Sequence, residues 1–407
     1  MIKYTAIASA VLSATAFSAV ADTQFNGQIS TEYRYFLHEG LYPQQSQNHG
    51  SVVFEPEIYH SWNNENDSIT FKPFYRWDEQ DDERSHGDIR ELMWLHVGEG
   101  WELRTGIGAV FWGQTESQHL VDIINQTDAV EAIDGEDKLG QPMINLTLVK
   151  DWGLLDLFIL PGFRERTFSG MEGRFRMPYP VQQDDPIYES GAEQEHIDFA
   201  ARWSHSIGDW EVGLSYFNGT AREPELLLQT VNNELVFTPY YAQMQQTGVD
   251  LLSVVDSWLF KFEGIYRDVN TSLVGNTLTG GDNYFAMTGG FEYTRVGVFD
   301  SIIDIGWLME YQYDERGDNA TTTGQNDIML GARFVFNDAE GTEVLVGFVQ
   351  DLDYSDSQSL FVEASSRISD NWKWRADAWI LSPSSPKEVS YMVRQDDYVQ
   401  LSLEFYF

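Results

Sequence analysis

The connections between candidate strands sort by parity, and few architectures require that. From residue 25 onward the chain repeats one unit, a strand-length stretch of alternating apolar and polar side chains followed by a turn. After even-numbered stretches the turns are short: 63–66, 98–100, 151–153, 207–209, 255–257, 337–341 and 369–371. After odd-numbered stretches most links are longer: 37–51, 79–88, 110–142, 161–195, 218–240, 268–283 and 381–397, with 353–359 the short exception. Strands that run up and down through a membrane sort their connections in this way, with tight turns on one side and long loops on the other. A soluble sandwich has no such requirement. The pattern predicts an all-β chain folded as a single transmembrane antiparallel up-and-down β-barrel of about 18 strands. Sixteen is the alternative, because alternation is poor in 89–97 and the region 234–254 reads two ways.

The expected strands are 25–36, 52–62, 69–78, 89–97, 101–109, 143–150, 154–160, 196–204, 210–217, 241–254, 258–267, 284–294, 301–314, 327–336, 344–352, 360–368, 372–380 and 398–407. The last one, YVQLSLEFYF, puts Val399, Leu401, Leu403, Phe405 and Phe407 on one face and Gln400, Ser402, Glu404 and Tyr406 on the other. One face suits hydrocarbon and the other water. This stretch resembles the C-terminal signature of Gram-negative outer-membrane β-barrels, whose final Phe is read by the barrel-insertion machinery. The resemblance implies that role for Phe407.

No run of apolar residues is long enough for a membrane helix. The N-terminus carries Lys3, an apolar stretch over 6–17 and Ala19-Val20-Ala21, which reads as a signal peptide over 1–21 with the barrel over 22–407. Export without a helical span leaves periplasm, outer membrane or exterior; for an outer-membrane barrel with this loop sorting, both termini are periplasmic. Outer-membrane lipids and lipopolysaccharide are the implied surroundings. The formal net charge of −39 repels phosphates and argues against nucleic acid. There are no cysteines, so thiolate metal sites and cysteine nucleophiles are excluded. Nothing in the sequence calls for a cofactor or a metal.

Period 2 sends many charges inward, among them Arg104, Arg202, Lys261, Glu263, Arg267, Glu310, Arg333 and Arg375. A lysine or arginine facing lipid at the midplane costs about 2–4 kcal/mol, so a wet, charged lumen is the expected destination. Cross-strand ion pairing explains most of these charges; a polar passage is the functional reading. The remaining acid excess falls in loops, most densely at 78–83 and 134–137, which read as solvated loops or as sites where divalent cations bridge to lipid phosphates.

Two long inserts depart from the simple pattern. Residues 110–142 exceed an ordinary loop and include a helix-like piece, Ser117–Ile124. The insert reads either as a plug or constriction inside the barrel, anchored by Trp112 and Asp122, or as a surface lid. The second insert, 161–195, carries Arg164, Arg166, Arg174 and Arg176 among aromatics. Folded into the lumen, these would form a clamp for an anionic solute. Pairing with Glu165, Glu172 and lumen acids would instead pin the loop.

Across 88–128 the chain shows Leu103-Arg104-x-Gly106, Phe111-Trp112-Gly113, then Asp122-Ile123-Ile124-Asn125 and Asp128. This resembles an uncharacterised family of proteobacterial barrels within the porin-like superfamily, marked by Trp-Gly-Glu and Asp-x-Ile-Asn-Pro-x-Asp. Gln114 stands where that family has Glu, and Gln126 where it has Pro. The resemblance implies a barrel of the 18-strand class that passes some solute. It points to Trp112, Asp122, Asn125 and Asp128 as constriction residues and leaves the solute open.

Neither G-x-S-x-G nor H-E-x-x-H is present. His119, close in sequence to Glu116, Ser117 and Asp122, is the one grouping with a catalytic look, and a hydrogen-bonded plug explains it equally. The expected function is therefore a non-enzymatic porin-like channel for passive or gated passage. A plugged barrel serving an export or lipid-trafficking assembly is the alternative.

Overall fold

The computed structural model describes residues 22–273 and 277–407. The expected signal peptide, 1–21, lies outside them. Eighteen strands form the wall. They are β1 (Asp22–Phe36), β2 (Asn48–Trp62), β3 (Asp67–Asp78), β4 (Gly87–Gly98), β5 (Trp101–Gly108), β6 (Gln141–Lys150), β7 (Gly153–Pro161), β9 (Ile197–Ile207) and β10 (Trp210–Thr220). The series continues with β13 (Gln243–Val255), β14 (Trp258–Val269), β15 (Asp282–Arg295), β16 (Asp304–Asp314), β17 (Asn326–Val335), β18 (Glu343–Asp351), β19 (Gln358–Ser369), β20 (Trp372–Ser382) and β21 (Tyr398–Tyr406). A short β8 (Ile187–Tyr188) joins the hairpin β11 (Glu225–Val231) and β12 (Glu234–Tyr241) in a separate three-stranded sheet within the long loops. That sheet resolves the double reading of 234–254: β12 leaves the wall and β13 belongs to it.

Each wall strand pairs antiparallel with its neighbours in the chain, and β21 pairs with β1, so the barrel closes. Closure leaves no edge strand. At the seam Phe407 exchanges backbone hydrogen bonds with Gly27, at 3.1 and 3.2 Å. Its ring lies 5.5 Å from that of Phe25, in space that only the missing side chain of Gly27 leaves free. Phe407 thus completes the wall.

The expected faces follow from the register. Phe25, Tyr75, Trp77, Leu214, Trp307 and Leu401 are exposed on the outer surface, as a lipid-facing wall requires. The tight turns sit where the backbone can make them: Asn63, Asn64, Gly100, Gly208, Asp256 and Gly341 all have positive φ. Poor alternation in the fourth strand has a physical cause. The β3–β4 ladder slips between Lys72 and Pro73, because proline offers no N–H. Nearby, Gly106 has φ 141°, and a Cβ there would stand 2.0 Å from the Leu92 carbonyl oxygen.

Candidate functional site

The insert between β5 and β6, residues 109–140, turns into the barrel and is gripped by two wall carboxylates. Glu263 of β14 and Glu310 of β16 are 0% and 1% exposed. Buried alone, each would be costly. Here Glu263 accepts hydrogen bonds from the backbone N–H groups of Gln114, Thr115 and Val121 (2.6, 3.0 and 3.2 Å) and from the Thr115 hydroxyl at 2.9 Å. Glu310 accepts from the N–H groups of Glu116 and Ser117, both at 2.8 Å, and from the Ser117 hydroxyl at 2.6 Å. The expected helix over Ser117–Ile124 is absent, for a chemical reason. Val121, whose N–H would bond within such a helix, donates it to Glu263 of the wall instead, and the Ser117 N–H and hydroxyl are held by Glu310.

Below this grip the insert packs an apolar patch. Trp112, Val121, Ile123 and Ile124 are buried against Met93, Phe158, Phe217, Met244 and Ile265 of the inner wall. Asn125 locks the insert's two ends together. Its side chain accepts from the Val110 N–H at 2.9 Å and donates to the carbonyls of Gly108 and Leu139 at 2.9 and 2.8 Å. Asp122 accepts from the Trp112 N–H at 3.2 Å and pairs with Lys138 at 3.2 Å. So the insert lies inside the lumen, and Trp112, Asp122 and Asn125 serve as its internal anchors.

A second set of charges ties the insert to β1, β3 and β4. Glu131 takes a two-pronged contact from Arg76, which also pairs with Glu32 at 2.6 Å. Arg84 joins Glu32 and Asp78 at 3.1 and 2.7 Å. Asp128 accepts from His86 (2.9 Å), Arg90 (2.7 Å) and the Thr167 hydroxyl (2.9 Å). Burial alone would raise the Asp128 carboxyl; His86 and Arg90 outweigh it and hold it at about 2. His86, Asp128 and Glu131 have the mutual spacing of metal ligands. Two arginines already compensate the carboxylates, however, and the donor set reads as an internal ion network. Asp78 and Asp81, expected in a solvated acidic loop, are buried as well: Asp78 holds Arg84, and Asp81 accepts the Gly170 N–H at 3.0 Å.

The arginines of the second insert do not converge. Arg164 pairs with Asp88 at 2.9 Å, and Arg174 pairs with Asp396 at 2.7 Å while lying over the Phe36 ring. Arg176 sits 3.6 Å above the Tyr42 ring, and Arg166 lies within electrostatic reach of Glu223. The pinning partners are Asp88, a lumen acid of the expected kind, and Asp396; Glu165 and Glu172 are not among them. Glu165 instead accepts from the Tyr188 hydroxyl and from Gln194.

The expected wall charges all face inward in the observed register. Arg202 pairs with Asp250 at 2.8 Å, and Arg375 with Glu404 at 2.6 Å. Arg104 lies 3.3 Å from Glu102, and Arg267 bonds Gln246 and the Tyr284 hydroxyl, each at 2.8 Å. Lys261 and Arg333 reach Glu116 of the insert at 3.5 and 2.8 Å. The insert is therefore bridged to the wall at two flanks, Glu116 to Arg333 and Glu131 to Arg76. Between them the wall row runs Arg34, Gln400, Asp377, Glu363, Leu345 and Arg333. Asp134, at the insert tip, lies within electrostatic reach of both Glu363 and Asp377.

This tip is acidic. Asp134, Glu136 and Asp137 are open to water. Asp137 touches water yet stands inside the lumen, and the protein packed around it, then Glu131 and Asp134, push its carboxyl up to about 7. His119 contacts Glu136 at 2.7 Å and stands 3.9 Å from Glu263. Burial opposes a charged imidazole, but the two carboxylates outweigh it and raise its pKa to about 10. Ser117, Glu116 and Asp122 bond elsewhere, so among the described residues no side-chain hydrogen bond links His119 to any of them.

Fold and lumen together define the class: a closed, antiparallel 18-stranded β-barrel with an insert folded inside. No protein-family model matches the chain, and no curated protein does. Among solved structures it is similar to OpdO of Pseudomonas aeruginosa, at 10% identity over 95% of this chain and 96% of that one, with a TM-score of 0.53. It is also similar to a loop-deletion mutant of OmpT, an outer membrane protein of Vibrio cholerae, at 10% identity over 96% and 100%, with a TM-score of 0.50. These likenesses concern the barrel fold.

Proposed function

We propose that the chain is an outer-membrane channel whose lumen is narrowed to one acid-lined gap. The observation that carries this is the two-flank bridging of the insert. Glu116–Arg333 on one side and Glu131–Arg76 on the other frame a stretch of wall where Asp134 lies within electrostatic reach of Glu363 and Asp377. Acidic side chains at the narrowest point of a pore attract cations and repel anions. The passage is then selective by size and charge, and no reaction is involved. The arginine-rich insert serves as scaffold in this account, since Arg164 and Arg174 are engaged in ion pairs.

The test is the reversal potential of purified protein in a planar bilayer under a salt gradient. Wild type is expected to prefer cations, and the Glu363→Gln/Asp377→Asn double variant to lose most of that preference. Anion preference in the wild type would overturn the assignment.

A second reading is a plugged barrel that opens only within an export or lipid-trafficking assembly. The apolar packing of Trp112, Val121, Ile123 and Ile124 favours it, because an insert so seated resists displacement by diffusion alone. Protein that is folded by gel mobility but passes no current would support that reading.

A further inference from the structure

Most of the tight turns are built from Asn, Asp, Glu and Gly. The connection between β15 and β16, residues 296–303, departs from that rule. It is the longest connection on the turn side of the barrel, where two residues suffice at 208–209 and 256–257. It is also apolar: Phe299 is 90% exposed, Val296 74% and Ile302 65%. No large apolar side chain of the lipid-facing wall is as open.

The turn holds these side chains out on a fixed backbone. Phe299 and Asp300 both take the left-handed conformation, at φ 57° and 55°, which is costly for a bulky residue. The Gly297 N–H donates to the Asp304 carboxylate at 2.8 Å, and the Val298 N–H to the Ile303 carbonyl at 2.9 Å. The Ser301 hydroxyl donates to the Val298 carbonyl at 2.7 Å and accepts from the Ile303 N–H at 3.1 Å. Asn337, on the neighbouring turn, donates to the Ile302 carbonyl at 2.7 Å and to Asp304 at 2.9 Å. Val298 turns back and is buried. The exposed apolar face is therefore built, and local hydrogen bonds carry its strain.

Its surroundings identify what covers it. Trp258, Tyr293 and Trp307 stand opposite one another in a row across β14, β15 and β16, on the outer face. The Trp258 and Tyr293 rings are 4.7 Å apart. Aromatic rows of this kind mark the boundary between hydrocarbon and headgroups. One row nearer the turn, Arg295 stands opposite Ile305, on the same outward face as Trp307. The registers send the other basic residues of the wall strands inward, except Lys150, whose ammonium donates to the Gly100 carbonyl at 3.2 Å. Arg295 is exposed and, among the described residues, makes no ion pair or hydrogen bond. A guanidinium on the lipid side of a barrel is costly at the midplane, whereas at the rim it meets phosphates.

We propose that the β15–β16 turn is a phospholipid anchor. Arg295 holds a headgroup phosphate of the turn-side leaflet, and Val296, Phe299 and Ile302 enter the boundary between headgroups and acyl chains. The patch is continuous with the lipid-facing wall, which sets lipid as its occupant. A turn already fixed in shape loses little freedom on inserting. The anchor sets the depth of the barrel at these two strands. It does not depend on conduction, so its failure leaves the channel reading untouched.

The chain has no cysteine, so one introduced thiol carries a spin label alone. Full-length protein with Phe299→Cys or Val296→Cys is labelled and reconstituted in vesicles of phosphatidylethanolamine and phosphatidylglycerol, its folding checked by gel mobility. Accessibility to oxygen, which partitions into hydrocarbon, is compared with accessibility to a water-soluble nickel chelate. Leu401→Cys on the outer wall and Asp370→Cys in a short turn set the lipid and water limits. Both labels in the β15–β16 turn are expected nearer the lipid limit. Adding Arg295→Glu should lower the oxygen-to-nickel ratio by about twofold or more, because a reversed charge is repelled by phosphates. Labels as open to nickel as the one at residue 370 would overturn the anchor. Labels shielded from both reagents would overturn it too, since protein, such as a second copy, would then cover the turn. A ratio unmoved by Arg295→Glu would overturn the headgroup contact.

Discussion

Glu263 shows how much one residue determines here. Among the described residues it has no basic partner at ion-pair distance other than His119, at 3.9 Å, yet it is fully buried, because four donors of the insert converge on it. Hydrogen bonds to a charged group contribute about 1.5–3 kcal/mol net. Glu263→Gln should therefore loosen the insert by roughly that amount. It should show as a lower temperature for the gel-mobility shift and as noisier current. Glu211→Gln, inward but exposed, should change neither. Period 2 alone placed Glu263 and Glu310 inside. Their partners were not legible, since backbone amides of 114–121 carry no signature in the sequence. The same applies to the missing helix, which local preference favoured and long-range hydrogen bonds overrode.

Asp137 gives the account a pH dependence. Its carboxyl is raised to about 7, with Glu131 and Asp134 adding to the crowding and Arg90 and Arg76 opposing it. A raised acid binds its proton more tightly in the folded protein. Its contribution to stability is complete below the unfolded carboxylate range and is lost as pH rises through about 7. Above that point Asp137 adds negative charge beside the gap. Cation preference should accordingly rise between about pH 6 and 8, and Asp137→Asn should flatten that rise. His119, raised to about 10, stays charged across the window and should contribute no step of its own.

At the scale of elements, the insert and the wall are joined through buried charges rather than through strands. Arg76 lies between Glu32 and Glu131, all three largely buried. Arg76→Ala leaves the buried Glu131 without its arginine and Glu32 with Arg84 alone, and should cost about 3–5 kcal/mol, read as a fall in thermal stability. Adding Glu131→Ala should recover part of that loss, a coupling that distinguishes network failure from general damage. The backbone sets its own condition at Gly106. Any side chain there meets the β4 backbone at a positive φ, so Gly106→Ala should reduce the yield of folded barrel.

The wall strands were legible because hydrocarbon outside and water inside impose period 2 on every one of them. The poorest, β4, was obscured by the slip at Pro73, a local event that alternation cannot encode. The inserts were legible only as excess length. Which of their charges pair across the lumen depends on contacts between residues far apart in sequence, such as Arg174 with Asp396. Composition made the four arginines of that segment look like a clamp, whereas the fold distributes them among separate partners.

At the scale of the whole molecule, a closed barrel of this size encloses more space than its wall side chains fill, and the insert takes up the difference on one side. The clearest division of the account into separate parts is thus wall against insert. The wall closes on itself through Phe407 and Gly27 without help from residues 109–140. The insert narrows what the wall leaves open. Replacing residues 111–137 by a short Gly-Ser link should leave the barrel assembled, with its gel-mobility shift retained at a lower temperature.

The deciding measurement is the single-channel conductance of wild type beside that insert deletion, in the same planar bilayers. A small, steady, cation-preferring conductance in wild type, several-fold larger and less selective once the insert is gone, is the expected result. Equal conductance in the two proteins, or none in either while both are folded by gel mobility, would contradict it.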